Sequence, residues 1–145
     1  MEVPPRATDP IFEEELSRGA ILLTEMQFPG GIKKQKYLIV LNQIPSHATT
    51  LLFLTTSQTD FYDLHPGVDH LRIAANALPC FPKDTVIDCR TTWPMERALL
   101  KKRYGQGALK FVGVLPRHHL EQIDQLVTAS RFIPLRDKKL ILGWQ

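Results

Sequence analysis

Lys36–Gln58, KYLIVLNQIPSHATTLLFLTTSQ, decides the fold. Two runs of β-branched and aliphatic residues, Tyr37–Leu41 and Thr49–Leu54, flank a polar link containing Asn42, Pro45 and Ser46. Near-continuous apolar runs bounded by turn residues mark strands covered on both faces, so the stretch predicts a buried hairpin. The second run ends in Thr55-Thr56-Ser57-Gln58, polar residues where the strand must leave the core. Lys36 heads the first strand. Antiparallel pairing sets those two ends side by side, so a cation and hydroxyls converge on one patch, the expected working site.

Upstream of the hairpin, Arg18-Gly19 opens an apolar run, Ala20–Leu23, read as the first strand. Phe28-Pro29-Gly30-Gly31 is a turn signal, and Ile32–Lys36 continues it as a flexible basic loop. Residues 1–17 read as an N-terminal extension, with Pro4-Pro5 and Pro10 interrupting any early helix and Ile11–Ser17 reaching one short acidic turn. Residues 18–145 are then one domain.

Downstream, Thr59–Pro66 reads as a polar surface excursion with a turn of helix, and Val68–Ile73 and Thr85–Cys89 as short strands. Pro94 suits the first position of a helix, where its missing N–H is not needed, and Met95–Tyr104 continues it to Gly105. Ala108–Leu115 is a strand with Lys110 pointing out. After Pro116, Leu120, Ile123, Leu126 and Val127 recur at helical spacing, and Lys138–Leu142 reads as a last strand. Short strands, long loops and one late amphipathic helix give an α+β domain, a small curled sheet or barrel closed by the helix.

At 145 residues and 43% hydrophobic, the chain can bury a core without staples. It has no apolar run of bilayer length and no basic-then-apolar start, so a cytoplasmic location away from membranes is expected. Its two cysteines, Cys80 and Cys89, suit small buried thiols rather than a disulfide framework or zinc site. His47, His65 and His70 show no ligand spacing, so neither metal nor cofactor is expected. Eighteen basic against fifteen acidic side chains give +3. The clusters Lys33-Lys34-Lys36 and Lys101-Lys102-Arg103 suit a polyanion or an acidic protein partner.

Gly19-Ala20-Ile21 before a Gly-rich loop, Lys36–Leu41, Leu54–Gln58, Lys83–Cys89 and Val112-Gly113-Val114-Leu115 before a terminal helix follow one another in a recognisable order. That order, over roughly residues 18–132, resembles the MazF/PemK family of toxin–antitoxin endoribonucleases. Thr56-Ser57-Gln58 matches the family's "TSQ" strand end. The resemblance implies an SH3-like small β-barrel of CcdB/MazF type with a C-terminal amphipathic helix. It implies metal-independent cleavage of single-stranded RNA, silencing by a cognate acidic antitoxin, and a homodimer. More apolar helix and strand surface than one small barrel can cover points the same way. Where the family carries a catalytic arginine this chain has Lys36, and Tyr37 stands at the following proline.

Cleavage of RNA without metal uses the 2′-hydroxyl as nucleophile, and donors preset around the crowded phosphate supply the largest part of the acceleration. Lys36, Thr56 and Ser57 are the candidate catalytic donors. Lys33, Lys34, Gln58 and Arg90 are the candidate RNA-binding residues, and Asp88 and His47 the candidates for a general base. Two rivals stand beside this reading. One is a non-catalytic toxin like the CcdB proteins, which bind gyrase through the chain end; here that end is Leu142-Gly143-Trp144-Gln145. The other is an inactive RNA- or protein-binding barrel.

Overall fold

The computed structural model describes residues 5–44 and 46–144; Pro4, Pro45 and Gln145 of the stretches above lie outside them. In chain order the elements are α1 (Pro5–Glu15), β1 (Ala20–Gln27), β2 (Lys33–Val40), β3 (Thr49–Thr56) and α2 (Asp60–Leu64). Then come β4 (His70–Ile73), β5 (Thr85–Asp88), β6 (Trp93–Glu96), α3 (Arg97–Gly105), β7 (Leu109–Val114), α4 (Arg117–Ala129) and α5 (Leu135–Leu142). The strands pair antiparallel in the order β4-β5-β3-β2-β1-β7, with β6 also on β3. The result is an α+β protein with a curled antiparallel half-barrel and C-terminal helices.

The hairpin of β2 and β3 lies at the centre, in the register Leu38↔Leu54, Ile39↔Phe53, Val40↔Leu52. Along its other edge β3 holds two partners in succession: Thr49–Leu52 pair with β6, and Thr55–Thr56 with β5. Between β1 and β7 the register shifts at Ile21/Leu22, which leaves Val112 as the extra residue of a bulge. A bulge of that kind bends the strand and sharpens the twist.

Alternation explains why the apolar runs are nearly continuous. Ile21, Ile39, Leu51 and Phe53 enter an inner layer with Ile123 and Val127 of α4 and Ile141 of α5. Their neighbours Leu22, Leu38, Val40 and Leu52 enter an outer layer with Phe12 of α1, Leu16 just after it and Leu100 of α3. Each fully buried aliphatic side chain contributes about 1.5–3 kcal/mol, so the sheet needs both covers. The outer apolar face, one ground for expecting a second chain, is thus covered from within by α1 and α3.

Four local readings are corrected. The helix α1 runs through Pro10, although an interior proline removes a backbone hydrogen bond and costs about 3 kcal/mol. Phe12 and Leu16, one turn apart, are both 0% exposed and outweigh that cost. Arg97 lies 5.4 Å over the Phe12 ring and pairs with Glu13. Second, the basic stretch expected in a flexible loop is strand: Lys33, Lys34 and Lys36 lie opposite Gln27, Met26 and Thr24 on β1. The turn is shorter, closed by the Phe28 N–H on the Ile32 carbonyl at 2.7 Å, with Gly30 and Gly31 at φ of 86° and 79°. Third, Pro94 sits in β6 opposite Leu51 and does not open a helix. A proline is admissible on a strand that lends only one edge to the sheet, and α3 starts three residues later, where the Arg97 N–H bonds the Ala48 carbonyl at 2.8 Å. Fourth, Lys138–Leu142 belongs to α5, not to a strand, bounded by Pro134 and by Gly143 at φ 71°.

Candidate functional site

The end of the hairpin brings the expected donors together. Past the last paired residues, Thr55 donates its hydroxyl to the Tyr37 carbonyl at 2.9 Å, which keeps β2 against β3 and sets Lys36 beside Thr56. Both side chains line two separate clefts. One, about 250 Å³, is also formed by Gln35, Tyr37, Ser57, Phe81 and Lys83. The other, about 230 Å³, is formed by Phe28, Tyr62, Asp88, Arg90 and Trp93. Tyr37 and Phe81 pack with the inner layer, Phe28 and Trp93 with the outer one. Lys36 and Thr56 therefore form a ridge at the sheet end with a cleft on either side.

The second cleft has a preset charge arrangement. Arg90 donates to Asp88 from Nη2 at 2.6 Å and from Nε at 3.1 and 3.2 Å, and its backbone N–H adds a bond of 3.0 Å to Oδ1. The Tyr62 hydroxyl donates to Asp88 Oδ2 at 2.7 Å. Burial alone would raise the Asp88 carboxyl, but the Arg90 and Tyr62 hydrogen bonds and the Arg90 charge hold it below the usual range. Tyr62, itself buried and beside an anion, is pushed up to about 12. The guanidinium is kept charged, first by its hydrogen bonds to Asp88, and lies 5.0 Å over the Phe61 ring. The Lys36 ammonium is lowered, first by burial and then by repulsion from Lys34. Thr56 Oγ1 accepts the Gln58 N–H at 3.1 Å, which leaves the hydroxyl proton free to be donated.

Of the residues read from sequence, Lys36, Thr56 and Arg90 share one cleft, and Ser57 joins Lys36 and Thr56 in the other. Lys33 and Lys34 are exposed on β2 beside the site, outside both cleft linings. Gln58 is exposed and meets the site through its backbone. Of the two candidate bases, His47 is displaced: it precedes Thr49 at the far end of β3, and at about 3.3 Å per residue the strand alone puts roughly 23 Å between Thr49 and Thr56. Asp88 is in the site, but its oxygens are committed to Arg90 and Tyr62 and its low proton affinity makes it a weak base.

Phe28, Tyr62, Trp93 and Lys83 escape the sequence reading. Tyr62 was hidden in a polar stretch; the one hint was a phenol among aspartates on a turn of helix, where its apolar body requires burial. Trp144 is 45% exposed, a projecting aromatic at the chain end. Cys89 is buried, Cys80 half-buried, and both are free thiols. Among the described residues no group of three or more His, Cys, Asp or Glu is placed to hold a metal, and no helix is long and apolar enough to cross a membrane. No protein-family model and no curated protein sequence matches this chain.

Proposed function

We propose that the chain is a metal-independent endoribonuclease of MazF/PemK type, cutting single-stranded RNA at a phosphate seated on the Lys36–Thr56 ridge. The observation that carries this is the ridge itself: a cation and a hydroxyl with a proton to give, between two clefts, with Arg90 in one of them. In the reaction the 2′-oxygen bonds to phosphorus and the bond to the 5′-oxygen breaks. The products are a 2′,3′-cyclic phosphate and a 5′-hydroxyl. Lys36, Thr56 and Arg90 donate to the phosphate oxygens, where charge builds up in the transition state. The 2′-hydroxyl gives its proton to water and the departing 5′-oxygen takes one from water, since the Asp88 oxygens are committed to Tyr62 and Arg90. On this reading the half-barrel is a variant of the SH3-like CcdB/MazF barrel. The working form is a cytoplasmic homodimer, and light scattering at tens of micromolar protein tests its mass.

An acidic antitoxin segment fits the same surface, because Lys33 and Lys34 stand exposed next to Lys36. Its association should slow as salt rises. The direct test is incubation of purified protein with long single-stranded RNA in EDTA. Fragments with cyclic phosphate ends, lost in Lys36→Ala, support the proposal; intact RNA overturns it. A second reading, a non-catalytic toxin that binds gyrase through its chain end, has the exposure of Trp144 in its favour. Gyrase inhibition by protein that leaves RNA intact, abolished by Trp144→Ala, would establish it instead.

A further inference from the structure

The cleft on the Arg90 side has more than a phosphate needs. Phe28 from the β1–β2 turn and Trp93 from β6 both line it, their rings 5.9 Å apart and 73° from parallel. The two rings touch edge to face and line the cleft as one contiguous aromatic surface. Lys36, Thr56 and Arg90 line it as well, with Tyr62 and Asp88 completing its polar lining. The phenol proton is already given to Asp88, so toward a guest the Tyr62 oxygen can only accept.

Flat, sequence-tolerant apolar walls beside cations describe how single-stranded nucleic acids are held: bases on aromatic faces, backbone on positive charge. We infer that this cleft is a nucleobase site, seating one base next to the phosphate on the ridge against Trp93 and Phe28. The accepting Tyr62 oxygen favours a base edge that carries an N–H. The inference rests on the ribonuclease reading for its substrate. It adds that one nucleotide flanking the cut is held by its base, with Trp93 the stacking residue and the Tyr62 oxygen the group that reads the base edge; neither is catalytic.

The chain has two tryptophans, so Trp144→Phe leaves Trp93 as the reporter. The probes are 2′-O-methyl pentanucleotides of each base, which lack the attacking hydroxyl, and an abasic pentamer with the same phosphates. Base-bearing oligomers should quench Trp93 and at least one should bind about 5- to 150-fold more tightly than the abasic strand, the range of one base–aromatic stack. Equal affinity for the abasic strand, absence of quenching by strands that bind, or no binding at all overturns the base site. Trp93→Leu, which removes the reporter and is therefore followed by calorimetry, should lose the advantage of base-bearing over abasic strands, and the abasic probe gives the same answer without altering the protein. The two proposals fail separately. Cleavage of RNA with no base-dependent quenching removes the base site alone. Base-dependent quenching by protein that leaves RNA intact removes the ribonuclease alone.

Discussion

Lys36→Ala should lower turnover about a hundredfold while changing RNA affinity only a few-fold. At about 4 Å and an effective dielectric near 20, a full charge on a phosphate oxygen is worth about 4 kcal/mol. Lys36 is half-buried rather than enclosed, so water screens part of that, and roughly 2–3 kcal/mol remains. That is about 10²-fold, at the lower end of what losing one preset donor costs elsewhere. The loss should fall on kcat, because the charge is needed most where it accumulates. Lys36→Arg, which carries a forked cation of higher pKa, should hold or raise activity. The pH profile separates charge from shape. Activity that needs the ammonium must decline as pH rises through the lowered Lys36 pKa. Lys34→Gln removes the second cause of that lowering, so the alkaline limb should move to higher pH; in Lys36→Arg it should disappear. The assay is single-turnover cleavage of end-labelled RNA across pH in EDTA. An unchanged rate in Lys36→Ala, or an alkaline limb that ignores both Lys34 and Lys36, refutes the role of the ridge.

The remaining predictions concern stability. Tyr62 is neutral in the folded protein up to about 12, above the usual phenol value near 10. Its contribution is therefore whole below about pH 10 and lost as pH rises toward 12; in Tyr62→Phe this alkaline step should be missing from circular-dichroism denaturation curves. For Asp88 the sign is opposite: the folded pKa is depressed, so its contribution is present above the ordinary carboxylate range and lost as pH falls through the lowered value. Asp88→Asn should remove that acid limb and cost about 1–2 kcal/mol at neutral pH, discounted for the partly exposed Arg90, as urea titration would show. Phe12→Ala should cost about 3–5 kcal/mol, visible as a lower Tm, because Phe12 touches Tyr104 and Phe111 in the outer layer.

Where contacts are local, the chain announces its structure. The β2–β3 hairpin follows from apolar runs with no polar alternation, and α4 from Leu120, Ile123 and Val127 at helical spacing. Because Lys36 and Thr56 lie on one hairpin, their meeting is legible too. The Tyr62–Asp88–Arg90 arrangement is different. Its members come from α2 and the end of β5, 26 residues apart, and only the pairing of β5 with β3 brings them beside Lys36. Pro94 and Lys138–Leu142 mislead for a related reason. Proline is admissible at a helix start and on a strand edge alike, and a short apolar run such as Leu140–Leu142 fits strand or helix equally. Tertiary position chose between them: β3 needed an edge partner, and Ile141 a place under the inner layer.

The double edge of β3 bears on the order in which the molecule assembles. Its hairpin partner is adjacent in the chain, but β5 and β6 come from Thr85–Asp88 and Trp93–Glu96, and closing such long loops is the slow part of forming a sheet. The N-terminal portion leaving the ribosome carries Lys36 and Thr56 without Arg90, Trp93 or the strands that clamp the ridge. On the ribonuclease reading the ridge and its Arg90 cleft are therefore incomplete until residue 96, two-thirds of the way along the chain, has docked on β3.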